Sequence, residues 1–323
     1  MAFLLRKFGN ALLLIVGVTL LSFILMVWFG PDRTYGLLGK NPTAEQIQQV
    51  RRQLGYDQPF TQRYADYLVS LATLDLGNSD SSGEAVRTIL ARTVPVTLAL
   101  VLPGFLIGNL LAVALAMLAA WHRGGWLDRL ITGISVAGMS LSFRVIIIGL
   151  QVLLCTPYGL NLFPVRGWQV SDLGSYLYYV TVPTLALITI SLGYNTRFYR
   201  SVFVEEAGKE HIRVARAFGA SPSTLMTRHV LANAMGPLIT RLLFSIPLML
   251  VSGSLLMETY FGIPGLGRAT FEAITNGDQP VLKAVVALTA VSFVGVQLLA
   301  DFLYRLVDPR IDESVADHGG ASV

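Results

Sequence analysis

The chain has 323 residues, of which 53% are hydrophobic and only 14% charged, with a net charge of +4 and a mean hydropathy of +0.59. That balance lies outside the range of soluble globular proteins and makes the chain a membrane protein. The small basic excess has no aromatic-interleaved clusters, which argues against nucleic acid as a partner.

Six apolar runs approach the roughly 20 residues that a helix needs to cross hydrocarbon. They lie at 8–29, 94–120, 130–155, 177–195, 238–257 and 281–304. None alternates with period two, so they read as helices rather than barrel strands. The first follows Arg6 and Lys7, as the apolar part of a signal peptide would. It is too long for one, however, and runs into Phe29, Gly30 and Pro31 where small cleavage-site residues belong, so it is read as a retained span.

Basic residues in the short loops set the orientation. With the amino terminus inside, the inside segments hold Arg6, Lys7, Arg123, Arg129, Arg197, Arg200, Lys209, Arg213, Arg216, Arg228, Arg305 and Arg310, while the short outside loops hold Arg166 and Arg268. The outside loop 30–93 is also basic but is near the length at which this bias loses force. Both termini are therefore expected in the cytoplasm. The organisation is an N-terminal span in 1–29, an outside loop at 30–93, a five-helix core at 94–310 and a tail at 311–323.

Loop 30–93 is too long to lack structure of its own. Thr43 and Gln46 spell a capping box before Ile47, Val50 and Leu54, with Gly55 as the stop. Tyr64, Leu68 and Leu71 mark a second helix after Pro59. The pair either covers the ends of the spans or offers a docking or gating surface to something arriving from outside.

Arg144 falls near the middle of the third run. An arginine at the centre of a membrane helix costs about 2.5 to 3.5 kcal/mol, so it is expected to face a polar cavity or a partner. The single cysteine, Cys155, permits neither an intramolecular disulfide nor a thiolate metal cage. Arg241 and Lys283 lie near span ends, within reach of the interface. Asp301 and Arg305, four apart, suit an ion pair at the inner boundary.

The segment 211–237 interrupts this apolar pattern. Ile212, Ala215 and Phe218 recur at helical spacing, and Gly219 stands where a left-handed C-terminal residue is favoured. Ser221 and Pro222 form an N-cap with proline at the first helical position. A second helix then runs through Leu225, Met226, His229 and Val230 to about Ala234. A corner between two short helices suits insertion into a groove of a soluble partner. It equally suits a linker packed on its own bundle, and the local features leave both readings open.

The residues also exclude several chemistries. There is no GxxxxGK[ST] phosphate loop, so ATP is not bound in that way, and there is no HExxH. His122, His211, His229 and His318 lack metal-ligand spacing. The glycines of 262–267 have no strand-then-helix context and read as a turn between spans. An ion-driven secondary transporter usually places acids or broken helices near the midplane, and here the acids fall in loops or near span ends.

Segment 211–237 resembles the cytoplasmic EAA loop of ABC importer permeases of the peptide and nickel branch. Ala215, Arg216, Ala217 and Gly219, then Arg228, His229, Asn233, Ala234 and Pro237, carry the likeness. Collinear matches flank it. Leu54, Gly55, Asp57, Gln58 and Pro59, with Tyr64, Asp75, Leu76 and Gly77, are similar to the LGLDQP and GDLG stretches. Thr97 and Leu98 fit the entry to the second span, and Phe163, Pro164 and Gly167 fit the FPVSGW loop. Glu258, Phe261, Pro264, Gly265, Leu266 and Gly267 look like the ETVFSYPGLG run, and Asp308, Pro309 and Arg310 like the terminal DPR.

The resemblance implies an all-α inner-membrane permease with the type I importer fold, six transmembrane helices and a helical extracytoplasmic insertion between the first two. Its implied partners are a second homologous permease, two ATPase subunits that bind ATP and Mg, and a periplasmic or lipid-anchored substrate-binding protein. This chain would then hold no cofactor and catalyse nothing. Within loop 196–237, Arg213, Ala215, Arg216, Ala217, Phe218, Gly219, Ala220, Ser221, Pro222 and Leu225 would form the contact with an ATPase. Glu258, Pro264, Gly265 and Gly267 would form a periplasmic turn. Arg144 would line the translocation path and favour an anionic group such as a peptide carboxylate, or pair structurally with backbone carbonyls or a partner carboxylate. The implied cargo is a peptide, with nickel or another metal chelate, glutathione or a modified peptide as alternatives. Three departures stand out: Phe218 where lysine is usual, Gly236 where a large apolar residue is usual, and Leu141 in place of a proline, which predicts a straighter third span.

Overall fold

The computed structural model describes residues 2–29, 34, 38, 42–249 and 254–307, and among them every regular element is a helix. The Asp308–Arg310 motif, the tail 311–323 and the side chains of Arg6, Lys7 and Arg305 lie outside the described residues. In chain order the helices are α1 (Ala2–Phe29), α2 (Ala44–Gln53), α3 (Phe60–Thr73), α4 (Val86–Trp121), α5 (Trp126–Ser140), α6 (Phe143–Cys155), α7 (Leu173–Ala207) and α8 (Glu210–Ala217). There follow α9 (Pro222–Leu248), α10 (Ser254–Phe261), α11 (Leu266–Asn276) and α12 (Gln279–Val307). Helices α4, α7, α9 and α12 are each long and apolar enough to cross a membrane, and α5 with α6 qualifies as a bent pair. The apolar part of α1 is Leu12–Trp28.

The chain divides into two compact units, Met1–Thr97 with Pro264–Gly295 and Leu98–Ile263 with Val296–Val323. In the first, Thr43 and Gln46 make the capping box that opens α2, and Gly55 after its end has φ +68°. Helix α3 lies against α1. Phe23 is buried, with its ring 5.5 Å from each of Phe60, Tyr64 and Tyr67, and Tyr64 Oη donates to the Val16 carbonyl at 2.8 Å. Lys283 Nζ lies 5.2 Å from the centre of the Phe23 ring. A second apolar cluster joins the start of α4 to α11 and α12 through Val86, Ile89, Leu266, Ala273, Val281 and Val285.

Beside that cluster the buried Asp278 gathers the serine loop. Its carboxylate accepts from Ser79 Oγ at 2.5 Å, Ser81 Oγ at 2.7 Å and the Ser81 amide at 3.2 Å. Burial pushes the pKa of Asp278 up, but these hydrogen bonds outweigh it and hold the carboxyl below its ordinary value.

In the second unit α7 packs on α4 and α5 through small residues. Gly193 of α7 is buried against α5, where an added Cβ would lie 3.1 Å from the Met139 amide nitrogen and 3.2 Å from the Gly138 carbonyl carbon. Gly108 of α4 meets Ser191 in the same way, its virtual Cβ only 2.9 Å from the serine Cβ. Small residues of this kind let membrane helices approach closely. A forked ion pair fixes the end of the α5–α7 contact, with Arg200 Nε and Nη2 at 2.5 and 2.7 Å from the Asp128 carboxylate.

The third apolar run is not straight. It bends by 99° between α5 and α6, which corrects the expectation drawn from Leu141. The break needs no proline: Leu141 is extended, and the Ser142 side chain accepts from the Val145 amide, capping a new helix. The helix beginning at Pro222 likewise does not stop near Ala234. It continues past Pro237 to Leu248, with a π-helical stretch over Leu225–Leu231.

Two predictions follow from this packing. Gly193→Leu forces α5 and α7 apart at an overpacking cost of about 1 to 3 kcal/mol, and so lowers the apparent melting temperature of the detergent-solubilised chain. Gly133→Leu, with nothing within 4 Å of its Cβ, leaves that temperature close to wild type; equal melting of the two variants contradicts the contact. The depressed Asp278 pKa contributes stability that is complete above the unfolded value of about 3.9 and is lost as pH falls through the lower folded value. Amide exchange in 78–82, corrected for its intrinsic pH dependence, therefore accelerates over that acidic window in the wild type and not in Asp278→Asn.

Candidate functional site: the corner at Gly219

The ten sequence-predicted corner residues, Arg213 to Leu225, come together in the second unit. Helix α8 ends at Ala217, and the chain then turns through Gly219, whose φ of +85° is the positive value that only glycine adopts without strain. Three amides close the turn on carbonyls of the last helical turn: Phe218 on Val214 at 3.0 Å, Gly219 on Arg216 at 3.0 Å and Ala220 on Ala215 at 3.1 Å. Ser221 accepts from the Thr224 amide and opens α9 with Pro222 at its first turn.

The two sides of the corner differ sharply. Ile212 is 1% exposed, and Leu225, Met226 and Val230 are buried with it in one cluster that also contains Ala112, Ala116 and Ala120 of α4 and Tyr199 and Phe203 of α7. Phe218, at the tip, is 88% exposed. Arg213, Arg216, Ala217, Ser221 and Pro222 are exposed around it, with Ala215 and Ala220 half-buried. At the entrance to the corner, the buried Glu206 carboxylate receives Lys209 Nζ at 2.5 Å and lies 3.4 Å from His211 Nε2.

The residues of the second predicted turn are divided between the units, Glu258 in one and Pro264, Gly265 and Gly267 in the other. Glu258 is fully buried, and its carbonyl accepts from the Ile263 amide at 2.9 Å. In the same unit the Gly167 amide donates to the Phe261 carbonyl at 2.8 Å and Arg166 Nε to the Tyr260 carbonyl at 3.1 Å, so the FPVSGW-like loop is tied to the end of α10. Gly265 is the extended N-cap of α11, and Gly267 is buried in its first turn.

Arg144 is the second residue of α6, just past the bend, and is exposed. It makes no hydrogen bond or ion pair with the described residues. The Asp128–Arg200 pair and a hydrogen-bonded group of Asn109, Asn195 and Tyr199 are features that the sequence reading missed. The available signal was Asn109, a lone amide inside the otherwise apolar run 94–120.

Comparison with known proteins gives consistent results over most of the chain. Residues 108–313 match the model described as "Binding-protein-dependent transport system inner membrane component", and residues 1–101 match its N-terminal companion model. The dipeptide transport system permease protein DppB of Lactococcus lactis is 32% identical over 312 residues, covering 96% of this chain and 98% of that protein. The glutathione transport system permease protein GsiC of Salmonella typhimurium is 31% identical, covering 93% and 94%. In fold, the chain is similar to a structure of the MetNI methionine ABC transporter in an inward-facing conformation, with a TM-score of 0.55 at 18% identity, covering 68% of this chain and 96% of the other.

Proposed function

Because the chain belongs to the family of binding-protein-dependent transport system inner membrane components, we propose that it is one permease subunit of an ABC importer that carries peptides. The observation that carries this reading is the Gly219 corner, a turn closed by backbone hydrogen bonds that presents one bare aromatic ring between the exposed Arg213 and Arg216 and the helix start at Ser221. A phenylalanine at 88% exposure gains about 1.5 to 3 kcal/mol on burial, which suits an anchor for a groove in a soluble subunit. Two ATPase subunits, binding ATP and Mg, would supply that groove in the complete transporter, together with a second homologous permease and an extracytoplasmic binding protein.

On this reading the chain crosses the membrane six times, with α1 as the first span and the bent α5–α6 pair as the third. Both termini are cytoplasmic, and α2 and α3 belong to the extracytoplasmic insertion. Helix α9 runs without a break from the corner into its span, and the corner also packs on α4 and α7. Movement of the ATPase groove is therefore delivered to three helices at once. ATP-driven closure of the ATPases opens the path outward and hydrolysis resets it. Arg144 lines the path and favours an anionic group. Peptide is preferred as cargo because relatives at about this identity carry dipeptide names; glutathione, a metal chelate or a modified peptide are the alternatives within the family.

Phe218→Ala is expected to weaken the association of the ATPase subunits by roughly tenfold or more in a detergent binding assay. Gly219→Val places a β-branched residue at positive φ, at a cost of about 1 to 2 kcal/mol in the corner, and uncouples ATP hydrolysis from uptake in proteoliposomes. Wild-type uptake by that variant counts against the corner as the coupling element. Arg144→Ala is expected to reduce uptake of anionic peptides more than neutral ones, and an equal loss of both with assembly intact rejects its selective role.

A further inference from the structure

A run of side-chain hydrogen bonds crosses three helices of the second unit and ends on a single cation. Asn109 of α4 is 3% exposed. Its amide nitrogen donates to the Phe105 carbonyl at 2.8 Å. Its side-chain oxygen accepts from Tyr199 Oη at 2.7 Å and from Asn195 Nδ2 at 3.0 Å, both on α7. Asn195 Nδ2 also donates to Ser191 Oγ at 3.0 Å. Both donors of the Asn195 amide are thus used inside the bundle, which fixes the direction of its oxygen. That oxygen accepts from Arg241 Nε of α9 at 3.4 Å.

Arg241 is an exposed residue of a helix long and apolar enough to cross the membrane. Its guanidinium lies against α7, its central carbon 5.4 Å from the centre of the Phe198 ring. Of its five N–H donors, only the one on Nε has an acceptor among the described residues. An ionised side chain on such a helix is expensive when turned toward lipid, and marks the side that meets solute, water or a partner. A planar guanidinium held by Nε and by an aromatic face presents its two outer nitrogens as a fork, the geometry that grips a carboxylate through two hydrogen bonds. Arg144, by contrast, has no partner among the described residues to fix its orientation.

We propose that Arg241 forms a carboxylate-binding subsite of the translocation path that takes the terminal carboxylate of the peptide in transit. Asn195 is its positioning residue, held in turn by Asn109, Ser191 and Tyr199. The inference rests on the peptide-permease reading and adds to it the group on the cargo that this chain recognises.

The test uses the complete transporter with its binding protein in proteoliposomes. It compares uptake of a peptide bearing a free carboxyl terminus with uptake of the same peptide amidated. The preference of the binding protein is common to all variants, so it cancels when acid-to-amide ratios are compared between them. Arg241→Gln is expected to lower the ratio by about tenfold, the worth of a charge-assisted hydrogen bond. Asn195→Ala is expected to lower it less, and Arg241→Lys, which keeps the charge and loses the fork, to give an intermediate value. A ratio unchanged in Arg241→Gln, whatever happens to the absolute rates, overturns the proposal and assigns the guanidinium to a structural pairing, such as a carboxylate of the second permease. If Arg241→Gln fails to assemble, an unchanged ratio in Arg241→Lys and Asn195→Ala overturns it equally. Wild-type vesicles that take up neither peptide overturn the peptide-permease reading itself, and this inference with it.

Discussion

The burial of the corner helices against the inner parts of α4 and α7 is the interaction on which the rest of the arrangement depends. Ile212, Leu225, Met226 and Val230 leave water on one side of the corner and meet Ala112, Ala116, Tyr199 and Phe203. Alanines on α4 let these larger side chains seat closely, so the corner has a fixed position relative to two long helices before any partner arrives. The bare Phe218 ring is thereby presented from a defined corner rather than from a loose loop. The same burial explains why the polar segment between spans is tolerated in so apolar a chain: one face of it is core.

The close helix contacts serve this arrangement from within the bundle. Association in lipid gains little from apolar burial, so it relies on close approach at small residues and on polar groups that find partners. Gly108 and Gly193 provide the first, and the Asp128–Arg200 fork and the Asn109 network provide the second. These contacts hold α4, α5 and α7 in register, and they leave Arg241 with a set direction.

What could be read from the sequence was what neighbouring residues decide among themselves. The capping box of Thr43 and Gln46, the helix stop at Gly55, the positive φ at Gly219 and the Ser221–Pro222 helix start all depend on a few adjacent positions, and each has the expected geometry. The corner residues were also nameable in advance. The misses arose where distant contacts overrode local preference. Nothing at Leu141 signals a bend of 99°; it depends on Ser142 as a cap and on the packing of α5 and α6 on α7. Pro237 looks like a helix end, yet the buried Ala234 and Leu238 on either side carry the helix past it. Arg241 meets Asn195, which lies 46 residues away in the chain.

The central claim is that the Gly219 corner seats in a separate ATPase subunit. It is tested most directly by placing a photo-cross-linking amino acid at position 218 and irradiating native membranes that contain the complete assembly. The account predicts one dominant covalent product between this chain and a nucleotide-binding subunit, changed in yield when ATP is added. A product confined to this chain or to lipid, with intact complexes recovered from the same membranes, would contradict it.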